Sequence, residues 1–229
     1  MKISHSVYSG FSNSELNWLP MDTEELYQTH LQIPEKRSLL EKYNWLNSKF
    51  TYKFNSEGFR SREFLNEPAI AFFGCSFTLG VGLPLETSWP YIVSSRLNLA
   101  CYNLAIAGSS NDTAFRMAYS RLETIKPKMV IFCQTYSHRF EIFDGIGFSG
   151  KGPHGDNGNY ENEWMAYSQN TLLNKEKNRL GMNQLCTDLG IKFLATEVEK
   201  LEIVDLARDL YHPGIGSNRK FADYILSLI

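Results

Sequence analysis

Long apolar runs, basic clusters and paired cysteine motifs are all missing from this chain, and each absence excludes a class of function. Nothing approaches the roughly 20 apolar residues of a membrane helix. Lys and Arg number 23 against 25 Asp and Glu, with no basic run, so the charge footprint of a nucleic-acid binder is absent. The opening Met1-Lys2-Ile3-Ser4-His5-Ser6 lacks the apolar core of a signal peptide, and a cytoplasmic protein is expected. The four cysteines, Cys75, Cys101, Cys133 and Cys186, form no C-x-x-C pair, which argues against a zinc or redox centre. They read as reduced thiols, with Cys101 and Cys133 behaving as small hydrophobes in or beside apolar strands.

What is present is ordinary globular composition: 43% hydrophobic and 21% charged over 229 residues, enough for one sizeable core with an appendage. Residues 1–50 are rich in aromatic and polar side chains and predict an N-terminal helical extension packed on a main domain of residues 51–229. Asp22 reads as the N-cap of a first helix, with Glu25 three residues on. Pro34 to Leu46 predicts a second, and Phe50–Phe54 alternates like a short edge strand.

From Pro68 the pattern is strand, helix, strand, helix. Strands are predicted at Ala69–Phe73, Ala100–Leu104, Met129–Gln134 and Ile191–Ala195. Helices are predicted from Thr87 or Ser88 to Leu97, from Asn111 or Asp112 to Ile125, over Leu172–Leu189, and from Ser217 or Asn218 onward. Apolar strands alternating with helices imply an α/β fold whose parallel sheet is covered on both faces. Gly145–Tyr160, with six glycines, reads as a long loop, either a surface insertion or a substrate lid.

In such a sheet, sites form beyond the carboxyl ends of the strands. Ser76 follows the first strand in Gly74-Cys75-Ser76-Phe77-Thr78. Alone it reads as a helix N-cap. It becomes a nucleophile if a base takes its proton, and Asp209-Leu210-Tyr211-His212 offers a base with an orienting acid three residues away. Asp205 is a rival acid, and Cys75 a rival nucleophile in a poorer position. Gly108 lets backbone approach a substrate closely. Its N–H, that of Ser76 and the Asn111 side chain are candidate oxyanion donors. His138 and Arg139 either orient a substrate or serve the surface, with Glu141 a possible partner. Arg60, ending the turn Asn55–Arg60, is a candidate for an anionic group.

Three blocks in this order resemble the SGNH (GDSL-like) hydrolase superfamily. Gly74–Thr78 is similar to its G-D-S-x-T block, Asn103–Gly108 to its oxyanion-glycine block, and Asp209–Pro213 to its D-x-x-H-P block. The resemblance spans roughly residues 50–229, and the phrase Asn55–Arg60 is similar to what precedes the first block in some bacterial and phage-encoded members. It implies a three-layer, flavodoxin-like α/β/α sandwich. It also implies a serine esterase or O-deacetylase working through an acyl-enzyme, without metal or cofactor. Ser76 would be the nucleophile, His212 the base, Asp209 its orienter, and Gly108 part of the oxyanion hole. The implied substrate is a small acyl ester or acetylated carbohydrate.

Two departures stand out. Cys75 replaces the Asp beside the serine, and Tyr136 stands where the third block, G-x-N-D, carries an Asn donor. Asn111, Tyr136 or Gln134 substitutes for that donor, or the hole has one fewer. An O-acyltransferase on a sugar hydroxyl and a catalytically weak binding module of the same fold are the alternatives.

Overall fold

A computed structural model describes residues 9–143, 147–153 and 157–229. Residues Glu15–Leu16 form β1, followed by helices α1 (Glu24–Gln32) and α2 (Pro34–Lys42), and β2 (Tyr52–Lys53). Strand β3 (Ala69–Phe73) runs into the short α3 (Ser76–Leu79), then α4 (Trp89–Arg96), β4 (Ala100–Asn103), α5 (Asn111–Ile125) and β5 (Met129–Gln134). There follow β6 (Phe140–Phe143), β7 (Phe148–Lys151), α6 (Asn159–Ala166), α7 (Ser168–Asp188), β8 (Lys192–Glu197) and α8 (Ile215–Leu226).

The central sheet has four strands in the order β4-β3-β5-β8, all parallel. Every residue of β3 is buried, so the strand has no solvent face and its sequence runs apolar without alternation. Alternate side chains feed two cores. Ala69, Ala71 and Phe73 pack with Val130 and Phe132 against Met117, Leu122, Met182 and Cys186 of α5 and α7. Ile70 and Phe72 pack with Ile131 and Cys133 against Trp89, Val93, Phe221 and Ile225 of α4 and α8. The result is a three-layer α/β/α arrangement. No helix among the described residues is long and apolar enough to cross a membrane.

The N-terminal residues are fastened to the loops above the sheet. Leu40 and Trp45 pack with Leu83, Ala207 and Leu210. Leu19, Tyr52 and Phe54 pack with Leu79, Val81 and Ala105. The Trp45 indole N–H donates to the Leu206 carbonyl at 2.8 Å. Asp22, Arg208 and Tyr52 are buried together beneath this contact: the carboxylate accepts from Arg208 Nε at 3.1 Å and Nη2 at 2.7 Å, and from the Tyr52 hydroxyl.

Several boundaries differ from the sequence expectation. Thr23, not Asp22, caps α1, its hydroxyl accepting from Leu26 N at 3.1 Å. Ser110, not Asn111 or Asp112, caps α5, in a reciprocal box with Thr113. Helix α8 starts at Ile215, before Ser217, because the Asp205 carboxylate accepts from Gly216 N and Ser217 N at 2.7 and 2.8 Å. The expected glycine-rich loop contains β7, paired antiparallel with β6, and the start of α6. Its Gly145 and Gly155 lie outside the described residues.

Candidate active site

Because the four strands are parallel, the segments that follow β3, β4, β5 and β8 leave the sheet at one edge. Hydrogen bonds then join those segments to one another. Ile106 N and Ser109 Oγ both donate to the Gly74 carbonyl, each at 3.1 Å, laying the Gly108 segment against the turn before Ser76. Asn103 links the same two segments, its amide donating to Thr78 O at 2.9 Å. Asn111 joins the second to the third, donating to Thr135 O at 3.1 Å and accepting from Thr135 N at 2.9 Å.

Gly74 has to be glycine. A Cβ there would lie 2.3 Å from Thr78 Oγ1 and 2.9 Å from the Cys133 carbonyl. The turn is therefore tight, and Ser76 becomes the first residue of α3 rather than its cap, which is Cys75. Ser76 is 7% exposed, and its Oγ makes no hydrogen bond among the described residues. The N–H groups of Ser76 and Gly108 likewise have no backbone partner among them. Gly108 adopts φ +71, is exposed, and has open space beside its Cα.

His212 and Asp209 form a buried, hydrogen-bonded pair. The imidazole Nδ1 hydrogen-bonds Asp209 Oδ2. Asp209 Oδ1 accepts from the N–H groups of Tyr211 and His212 at 3.1 and 3.0 Å. Both carboxylate oxygens are thus fixed, and the side chain is 1% exposed. This geometry sets the tautomer: with Nδ1–H donating to the carboxylate, Nε2 is the free acceptor. The turn holds Leu210 at φ 57, an unusual conformation for a leucine, secured by Leu210 N to Ala207 O at 2.9 Å and Ala207 N to His212 O at 2.8 Å. The Phe77 ring, next to Ser76, meets the His212 ring edge-on at 5.6 Å between centroids, bringing the serine and histidine segments into contact.

Other candidates have different employment. Asp205, the rival acid, caps α8 as described. Asn111 is 1% exposed with its amide committed to Thr135, so it braces the loop rather than facing a substrate. Gln134 is buried and donates to the Lys175 carbonyl at 3.0 Å. Tyr136 packs on the core containing Cys75, with His138 stacked on its ring at 5.6 Å, and burial pushes its phenol pKa up. Glu141 pairs with Arg116 at 2.7 Å rather than with Arg139. Arg139 reaches Thr135 Oγ1 at 3.3 Å. Cys75 is 1% exposed in the core.

Arg60 is not a surface anion binder either. Its Nη1 donates to the carbonyls of Leu79 and Gly80 at 3.1 and 2.6 Å, and Nη2 to Leu83 at 2.6 Å. Burial lowers its pKa to about 10. It pins the 79–83 segment, whose Gly82 supports the Asp209 loop through Arg208 N to Gly82 O at 3.1 Å. Sequence reasoning missed Arg208 and Tyr52 as supports of this loop. The Tyr52 hydroxyl accepts from Gly82 N at 2.8 Å, while burial and the Asp22 carboxylate raise its pKa. Among the described residues no three His, Cys, Asp or Glu side chains converge on a metal position.

Four parallel strands between two helix pairs, with the serine, glycine and Asp/His blocks on one edge, give the chain a three-layer α/β/α fold. No family model and no curated protein matches its sequence. Among solved structures it is similar to TesA, at 15% identity over 69% of this chain and 96% of that one, with a TM-score of 0.46. It is also similar to the psychrotrophic esterase EstA from Pseudoalteromonas sp., in a structure inhibited by monoethylphosphonate, at 15% identity, 70% and 96% coverage and a TM-score of 0.39. A third is the acetyl xylan esterase Est2A from the rumen bacterium Butyrivibrio proteoclasticus, at 11% identity, 79% and 65% coverage and a TM-score of 0.38. These distant likenesses carry no residue roles across.

Proposed function

We propose that this chain is a serine ester hydrolase that removes a small acyl group, such as acetyl from a sugar hydroxyl. The observation that carries the reading is the buried Asp209–His212 pair, with both carboxylate oxygens occupied and Nδ1 held by one of them. A solvated turn has no need of such an arrangement. The low exposure of Ser76 and His212, 7% and 5%, favours a short acyl group.

In this mechanism Ser76 Oγ attacks the ester carbonyl while His212 Nε2 accepts its proton. Asp209 stabilises the resulting imidazolium without taking the proton. The tetrahedral oxyanion is received by the N–H groups of Ser76 and Gly108. The C–O bond to the alcohol then breaks, and His212 returns the proton to the leaving oxygen. Water, deprotonated by the same imidazole, attacks the acyl-serine, and the carboxylic acid departs with Ser76 restored. The mechanism requires Ser76 Oγ to meet His212 Nε2 in the substrate complex, where such contacts often tighten. With Asn111 and Gln134 committed elsewhere, the hole works with two backbone donors. One donor fewer is worth about 2.7–4 kcal/mol in the transition state, so slow turnover is expected.

Hydrolysis of p-nitrophenyl acetate tests the reading. Acetate release should fall by about 10³-fold or more in both Ser76→Ala and His212→Ala. Release that survives either substitution sinks the proposal.

A further inference from the structure

A second site lies behind the Asp209 loop. Arg208 is 3% exposed, and its guanidinium lies between the rings of Trp18 and Phe50, 4.0 Å from each centroid. One edge of the fork, Nε and Nη2, is taken by Asp22. Nη2 also donates to Asn17 O at 2.8 Å. Nη1 has no hydrogen-bond partner among the described residues. This half-satisfied cation lines a cleft of about 620 Å³, walled by Trp18, Tyr27 and Phe50 and edged by Asn47 and Lys49.

The chemistry of this lining selects a ligand. Two cations and no carboxylate line the cleft, so an anion is favoured. Asp22 already balances Arg208, and Lys49 supplies the second positive charge that an incoming anion needs. The N–H groups of Nη1, the one guanidinium nitrogen left without a partner among the described residues, suit a carboxylate oxygen as a charge-assisted acceptor. Aromatic walls beside amide and hydroxyl side chains suit the mixed apolar and hydroxylated faces of a sugar ring. We propose that the cleft binds a carboxylate-bearing saccharide, a uronic-acid unit, at a site separate from the Ser76 edge. The inference does not depend on the hydrolase reading.

Isothermal titration calorimetry of the full chain with trigalacturonate tests it, with cellotriose as the neutral control and sodium acetate as the bare anion. Trigalacturonate should bind at least about 10-fold more tightly than either control. Lys49→Gln, at an exposed position, should weaken it about 10-fold, as should Trp18→Ala. Ser76→Ala should bind like the unaltered protein. If Trp18→Ala does not fold, Lys49→Gln decides alone. The proposal is overturned if trigalacturonate does not bind at millimolar concentration or if cellotriose or acetate binds equally. It also falls if Lys49→Gln leaves the affinity unchanged, or if binding is lost in Ser76→Ala.

Discussion

Gly82→Ala perturbs the support of the Asp209 loop without replacing any residue assigned a chemical role. Gly82 adopts φ +76, and a Cβ there would lie 2.7 Å from Ala207 Cβ, 3.2 Å from Arg208 N and 3.3 Å from Asp209 Oδ1. Two costs therefore add. A left-handed alanine costs about 1–2 kcal/mol. Displacing a methyl and a backbone N–H that cannot swing away costs about 1–3 kcal/mol more. Gly190→Ala isolates the first term, because Gly190 has φ +67 and nothing within 4 Å of its added Cβ. Urea unfolding should give about 1–2 kcal/mol of destabilisation for Gly190→Ala. Gly82→Ala should lose about 2–5 kcal/mol. Because the crowded atoms belong to the loop carrying Asp209 and His212, kcat/KM for p-nitrophenyl acetate should also fall in Gly82→Ala, by about 10²-fold if the loop shifts by about 1 Å. It should hold in Gly190→Ala. Equal destabilisation in the two variants, with kcat/KM unchanged in Gly82→Ala, would refute the claim that this glycine positions the acid–base pair.

Other consequences concern the buried charges. Asp22→Asn leaves Arg208 buried without its counter-charge and should cost about 3–5 kcal/mol in urea unfolding, whereas Asp22→Leu combined with Arg208→Met should be milder. His30 is 3% exposed with no hydrogen-bond partner for Nδ1 among the described residues, and burial lowers its pKa, reinforced by Lys36 and opposed by Asp209. The folded chain therefore holds His30 neutral where the unfolded chain protonates it, below about pH 6.5. Stability should fall as pH drops through that range, and His30→Gln should flatten the fall. A slope that is identical in the variant would count against His30 as its source.

The strands were legible because each is a short apolar run between turn residues, and burial on both faces removes any alternation that could confuse the pattern. The helix caps were less so, for a local reason. Ser110-Asn111-Asp112-Thr113 offers four residues suited to an N-cap, and Asp22-Thr23 offers two, so the type of residue was readable but not its register. Asp22 in addition has a partner, Arg208, 186 positions away. Nothing local marks that pairing. The same holds for Arg60, whose partners are backbone carbonyls and leave no trace in side-chain pattern. The β6–β7 hairpin was hidden because glycine in a strand resembles a loop in composition. Ser76, Asp209 and His212 were proposed as a set from the three-block resemblance; the structure joins Asp209 to His212 and sets Phe77, beside Ser76, against the His212 ring. Asn111 was misjudged because a side-chain amide at a strand end serves a neighbouring loop as readily as a substrate.

The most direct measurement of the central claim is intact-protein mass spectrometry after treatment with an ethyl fluorophosphonate, followed by peptide mapping. One adduct is expected, on Ser76, absent in Ser76→Ala and much slower to form in His212→Ala. An unlabelled native protein, or a label that maps to another residue, would contradict the assignment of Ser76 as the nucleophile.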